Sequence, residues 1–323
     1  MIIRPFDGSE SDIQAITDID NAVWPDYPTT VEEFKHNEST RDPKYMHQRP
    51  LVEIDGQVVA HCVVCEPWWS MKPGKYYIDI SVHPEYRRQG IGSACYEHLM
   101  GTLAEYGPTL IEATTRENQA GALRFLTKRG FKQTMREPVS YLYVDQFDPA
   151  PFSELSAKVV RLGIRMRSLS HIAESDPDCK RKLWDLYWEL EQDVPCTDPP
   201  TRPSFENFQE RTLGSPQFSA DGHMIALDGD RWVGMSVLWL SQAENDKLYT
   251  GLTGVSREYR RKGIATAMKV RAIAFAKDYG AKIIETSNEE GNPMYDLNLK
   301  LGFEPQSAWL EFRLDLNEPT SED

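Results

Sequence analysis

A mixed α/β fold built twice over is what this sequence predicts, on three observations. The chain has 323 residues, about twice the usual ~150 of one domain. The segment VHPEYRRQGIGSACYEHLM at Val82 returns as VSREYRRKGIATAMKVRAI at Val255, an offset of 173. Around both copies, strand-like alternation and helical spacing succeed each other in the same order, which is the signature of helices packed on a sheet.

Taken in order, the first half opens with an apolar strand at Met1–Pro5, followed by helical periodicity and a Pro-containing loop at Trp24–Thr30. LVEIDGQVVAHCVVC then alternates about an Asp55-Gly56 pair, which predicts a β-hairpin. A strand at Tyr76–Val82 runs into the repeated motif, a helix follows, and a further strand (Thr109–Thr114) and helix lead to Gly130-Phe131. The second half repeats this with Ile164–Arg167, a loop at Val194–Pro203, Leu248–Val255, Lys282–Thr286 and Gly302-Phe303. The two Gly-Phe pairs stand 40 residues beyond Gly90 and 39 beyond Gly263, and lead into closing strands at Val139–Phe147 and Ser307–Leu316. Pro149 and Pro151 place the boundary near residue 150, giving domains 1–150 and 151–323, with a polar, frayed tail NEPTSED.

Composition narrows the function. With 36 Lys and Arg against 50 Asp and Glu, a net charge of -14 repels phosphate backbones and anionic membranes, so neither nucleic acid nor membrane is an expected partner. No long uncharged apolar run occurs, and MIIRPFDGSE carries charge too early for a signal-peptide core, so the expected location is cytoplasmic. Five scattered cysteines suit a reducing compartment. Cys62 and Cys65 lie three apart on a strand and point to opposite faces, so no metal site is expected of them.

The motif itself is an anion cradle. Arg87-Arg88-Gln89-Gly90-Ile91-Gly92 follows a strand and opens a helix whose apolar residues Ile91, Cys95, Leu99 and Leu103 are four apart. At a helix N-terminus the first N–H groups lack partners and the dipole is positive, glycine lets an anion approach, and flanking arginines add charge. Arg260-Arg261-Lys262-Gly263-Ile264-Ala265 repeats the design before a helix with Ile264, Met268, Ala272 and Phe275 on its inner face. A dinucleotide-binding fingerprint is excluded because the third glycine is missing, and a P-loop because G-x-x-x-x-G-K-[ST] is absent.

This strand, Arg-x-x-Gly-x-Gly/Ala turn, helix, strand, helix and Gly-Phe order resembles the GNAT family of N-acetyltransferases in both halves. The resemblance implies two tandem acyl-CoA N-acyltransferase domains, with acetyl-CoA as cosubstrate and no metal. It implies diphosphate contacts from the backbone of Gln89–Gly92 and Lys262–Ala265, and pantetheine contacts from the backbone of Val82 and Val255. Asn118 and Asn292 stand where family members contact the coenzyme arm, although Asn292 equally suits a helix cap.

Acetylating an amine requires a neutral nitrogen, and an alkylamine of pKa near ~10 must give up a proton at about 4 kcal/mol at pH 7. Family members often place an acid on the motif strand or its neighbour; the available carboxylates are Asp79, Glu112 and Glu285, each of which also reads as an ordinary strand or loop residue. A backbone N–H at the end of the motif strand suits the thioester oxygen as it gains charge. The family's tyrosine, five residues before the Gly-Phe phenylalanine, is replaced by Leu126 and Asn298; Tyr295, one turn away, is a weak substitute or a core residue.

For the acceptor, Trp24, Asp26 and Tyr27 in one half, and Asp193, Asp198 and Phe205 in the other, suit a cationic amine or a plain acidic surface. Trp68 and Trp69 suit a loop over the first cleft or an interface, and Trp184 and Trp188 one buried helix face. The expected function is acetyl transfer to a small-molecule amine, by one domain or both. The alternatives are a non-catalytic acyl-CoA sensor and acetylation of protein amines.

Overall fold

Local signals place the elements. In the computed structural model, which describes residues 1–317, they are β1 (Ile2–Pro5), α1 (Glu10–Val23), α2 (Val31–Ser39), β2 (His47–Gln48), β3 (Pro50–Ile54), β4 (Gln57–Cys65), β5 (Lys75–Val82), α3 (Ile91–Leu103), β6 (Leu110–Arg116), α4 (Ala120–Thr127) and β7 (Lys132–Tyr143). There follow α5 (Ser153–Arg161), β8 (Ile164–Ser168), α6 (Leu169–Ala173), α7 (Cys179–Glu191), α8 (Phe205–Asn207), β9 (His223–Asp228), β10 (Arg231–Leu240), β11 (Lys247–Val255), α9 (Ile264–Tyr279), β12 (Ile283–Ser287), α10 (Pro293–Lys300) and β13 (Glu304–Asp315). The end of NEPTSED lies outside the described residues. No helix among the described residues is long and apolar enough to cross a membrane.

The chain divides into two compact units. The first is Met1–Arg136 with Thr197–Thr201 and the segment from Trp309; the second is Glu137–Cys196 with Arg202–Ala308. Relative to the expected halves, the closing strands change sides. Residues 309–315 of β13 pair antiparallel with β6 to complete the first sheet, in the order β1-β3-β4-β5-β6-β13. Residues 139–143 of β7 pair antiparallel with β12 to complete the second, in the order β7-β12-β11-β10-β9-β8. Neither sheet takes its last strand from its own half of the sequence, because strand pairing answers to geometry and not to proximity along the chain.

Short-range chemistry explains the rest. Asp55 and Gly56 both adopt positive φ (51° and 81°), as the two-residue β3–β4 turn requires. Thr30 and Glu33 form a reciprocal capping box at the start of α2, worth about 1 kcal/mol. Ile91, Cys95, Leu99 and Leu103 are all buried on the inner stripe of α3. In α9, Ile264, Met268, Ala272 and Ala276 are buried while Phe275 is half-buried, since the stripe drifts at 3.6 residues per turn. In α7 the leucines Leu183, Leu186 and Leu190 take the core. Trp184 and Trp188 are therefore not the buried face: Trp184 is half-buried, with the guanidinium of Arg202 3.6 Å from its ring centroid.

Candidate active site

In each unit the central sheet opens into a fork. β5 runs parallel to β6 only at Lys75↔Leu110, Tyr76↔Ile111 and Tyr77↔Glu112; beyond Tyr77 the two strands separate. β11 and β12 repeat this at Lys247↔Ile283, Leu248↔Ile284 and Tyr249↔Glu285. The outer sides of both arms stay paired: β5 reaches Val82↔Ala60 on β4, and β6 is paired along its whole length with β13. Backbone groups on the inner edges are left for an extended ligand to meet, as a strand would.

At the mouth of each fork stands the cradle. Arg88 (φ 65°) and Gly90 (φ 85°), and likewise Arg261 (φ 62°) and Gly263 (φ 85°), bend the chain into the helix start. Neither α3 nor α9 has a side-chain cap, so its first N–H groups remain available. Arg87 Nε donates to the Val82 carbonyl (3.1 Å) and Arg260 Nε to the Val255 carbonyl (3.0 Å), fixing each turn to the strand before it. Ile91 and Ile264 are buried, leaving their backbone to the cradle; Gly92 and Ala265 are half-buried, and Gln89 and Lys262 are exposed.

The two cradles differ in what surrounds them. A Cβ at Gly90 would meet nothing within 4 Å, whereas one at Gly263 would stand 3.1–3.2 Å from the Leu155 side chain of α5. Arg87 and Arg88 pair with no carboxylate among the described residues. By contrast Asp193 binds Arg257 (2.6 Å) and Arg260, and these two arginines, Arg257 first, hold its carboxyl below the usual range. The first cradle has open space at Gly90 and two arginines without carboxylates; the second packs Leu155 against Gly263 and has its Arg260 charge balanced by Asp193.

Asp79, two residues beyond Tyr77, lies on the first unit's fork. Burial pushes its carboxyl up, against the opposing pull of His61. The Ser81 hydroxyl donates to it at 3.3 Å. Buried His61, opposite Ser81 in the sheet, meets Asp20 of α1 through Nε2 at 2.7 Å and Arg49 through Nδ1 at 3.4 Å. Asp20 is held below the usual carboxylate range because His61 and Arg49 outweigh its own desolvation.

Glu112 and Glu285 sit elsewhere in their forks, at the closed end, and each faces a lysine. Lys75, 1 % exposed, approaches Glu112 and Asp198 at 3.0 Å each, and Arg313 joins Glu112 and Asp198 from β13. Lys247 stands 3.0 Å from Glu285. Burial raises the Glu112 carboxyl although both cations oppose it. Tyr295 is half-buried on α10, Asn118 is exposed before α4, and Asn292 caps α10 by accepting from the Met294 N–H at 2.9 Å. At the two positions where the sequence departs from the family, Leu126 is buried and Asn298 is fully buried, donating to Asn288 at 2.6 Å.

Sequence reasoning missed three features: the His61–Asp20 pair behind Asp79, the lysines opposite Glu112 and Glu285, and Arg116 at the end of β6. The lysines carried a signal, since Lys75 and Lys247 recur at an offset of 172 and both begin the strand that runs into the repeated motif.

The family model for the acetyltransferase (GNAT) family matches residues 13–131 and again 181–303. A mycothiol acetyltransferase of Actinosynnema mirum is 22% identical over 243 residues, 75% of each chain. Among solved structures, a tandem GNAT protein from the clavulanic acid biosynthesis pathway is 18% identical with a TM-score of 0.75, covering 98% of this chain and 99% of its own. A GCN5-related N-acetyltransferase from Sphaerobacter thermophilus is 19% identical with a TM-score of 0.69, covering 99% and 97%. The matched ranges each span a fork and its cradle, and the chain belongs to the GNAT acetyltransferase family, in its tandem form.

Proposed function

We propose that this protein is an acetyl-CoA-dependent N-acetyltransferase that modifies a small-molecule amine, with the chemistry in the first unit. The open cradle at Gly90 carries this reading. Uncapped α3 N–H groups, space where a Cβ would be, and two arginines without carboxylate partners together fit a diphosphate. When bound there, acetyl-CoA supplies an acyl thioester with a thiolate leaving group of pKa near ~8.5.

The remaining work falls to the chain. The backbone of Ile78–Val82 aligns the pantetheine arm along the open edge of β5, and an N–H of that edge stabilises the thioester oxygen as charge develops on it. Asp79 takes the proton that the incoming nitrogen loses. Its raised pKa brings it closer to the amine and improves the transfer. His61, held by Asp20, keeps a polar group within the field of Asp79. Leu126 offers no proton, so the thiol departs as thiolate. That absence, matched at Asn298, favours the second reading, an acyl-CoA sensor that binds without turnover.

Titration calorimetry with acetyl-CoA tests the reading. One site is expected in the natural protein, lost in Gly90→Glu and kept in Gly263→Glu; Lys262→Glu serves as the second-unit variant should Gly263→Glu misfold. Release of free thiol with an amine then distinguishes enzyme from sensor. Absence of binding to the natural protein overturns both.

A further inference from the structure

Arg116 is a buried cation without a counter-ion. It is 5 % exposed, closes β6, and stands opposite Trp309 in the sheet register. Its guanidinium carbon lies 5.1 Å from the Tyr27 ring centroid and 5.0 Å from that of Trp309. Trp24 packs on Trp309 at 5.1 Å and Tyr27 on Trp309 at 5.4 Å. The Tyr27 hydroxyl accepts from Nη1, and among the described residues no carboxylate pairs with Arg116. The other arginine on this face, Arg313, meets Glu112, Asp198 and Glu311. Ring faces attract a guanidinium but accept few of its five N–H groups. Holding that charge in a largely buried place without a carboxylate is unfavourable, and an anion arriving beside the rings corrects it.

The position of Arg116 indicates whose anion this is. The Tyr77 and Thr114 hydroxyls bridge the two arms at 2.8 Å, where the fork begins to open. Side chains two residues apart on a strand share a face. Two residues beyond this bridge, on the same face, stand Asp79 on one arm and Arg116 on the other. A molecule lying across the fork meets an acid with one end and a cation with the other.

We infer that Arg116 receives a carboxylate of the acceptor, so that the amine to be acetylated belongs to an amino acid or a related amine bearing a carboxylate. A single planar fork beside two packed rings suits a planar, singly charged group and leaves a dianionic phosphate undercompensated. The inference rests on the acetyltransferase reading for the role of Asp79, but the recognition of the carboxylate can be measured without turnover.

The test uses L-α-amino acids, β-alanine and 4-aminobutyrate, each beside its amide, with phosphoethanolamine as the phosphate counterpart. Binding to the full chain saturated with coenzyme A is followed by calorimetry, and free thiol is followed in parallel with acetyl-CoA. At least one acid is expected to bind about 10- to 100-fold more tightly than its amide. Arg116→Gln is expected to erase the difference and Arg116→Lys to keep part of it; Arg116→Lys carries the test if Arg116→Gln does not fold. Binding of no acid in the panel, equal binding of acids and amides, an acid preference that survives Arg116→Gln, or tighter binding of phosphoethanolamine overturns the inference. A lower unfolding temperature with an unchanged acid-to-amide ratio also overturns it, assigning Arg116 a purely structural role. Acid-selective binding without thiol release upholds the role of Arg116 and counts against acetyl transfer. Thiol release from amides as readily as from acids does the reverse.

Discussion

At the scale of residues, Asp79 places catalysis and stability in opposition. Its carboxyl is pushed up by burial, so the folded state holds the proton more tightly than the unfolded chain. The favourable contribution is present below the ordinary carboxylate pKa of ~3.9 and is lost as pH rises through the folded value. Asp79→Asn is therefore expected to unfold at a higher temperature than the natural protein near pH 7, with the gain vanishing towards about pH 4. The same substitution should lower kcat by about 100-fold or more, and in the natural protein kcat should rise with pH through the shifted Asp79 titration. Thermal scans across pH, set beside the pH–rate profile, check both. The paired lysines behave oppositely. Lys247→Met leaves Glu285 buried without its cation and should cost about 3–5 kcal/mol, while Lys247→Met with Glu285→Leu should return close to the natural stability. A urea-unfolding double-mutant cycle reads the coupling, and an additive result would contradict it.

At the scale of elements, the strand–turn–helix that makes the cradle was legible because everything it needs is local. Arginine and glycine at fixed spacing set the positive φ angles, and the four-residue apolar stripe sets the helix face. The Asp55-Gly56 hairpin was legible for the same reason. The alternation of strands could not show that α5 brings Leu155 against Gly263, since nothing in SELSAKVVR specifies where an amphipathic helix docks. Nor could it show that Trp184 packs under Arg202 while leucines fill the core, because all of these residues are compatible with a helical period. The turn glycines offer a direct comparison. Both sit at φ 85°, so alanine at either position carries about 1–2 kcal/mol of left-handed strain. Gly263→Ala must also displace Leu155, and its loss of stability in denaturant titration should exceed that of Gly90→Ala.

At the scale of the whole molecule, the repeat in the sequence is real but the units are not its two halves. The residues that pair β6 with β13, such as Arg116 and Trp309, are far apart in the chain, and no local pattern specifies such a partnership. A fragment ending at residue 150 would lack residues 309–315, and also Asp198 and Arg313 beside Lys75. It is expected to aggregate or to lack a cooperative unfolding transition, and a peptide covering residues 304–317 should restore one. This exchange of last strands also has a consequence during synthesis. Arg136 ends the first stretch of the first unit, yet its sheet is completed only when residue 315 has been made. At the ordinary ~5–20 residues per second, the nascent chain must carry an unpaired β6 edge for roughly ten to forty seconds. Chaperone demand and translation speed between these two points should therefore govern the yield of folded protein, and synonymous changes of codon there could alter it without altering a single side chain.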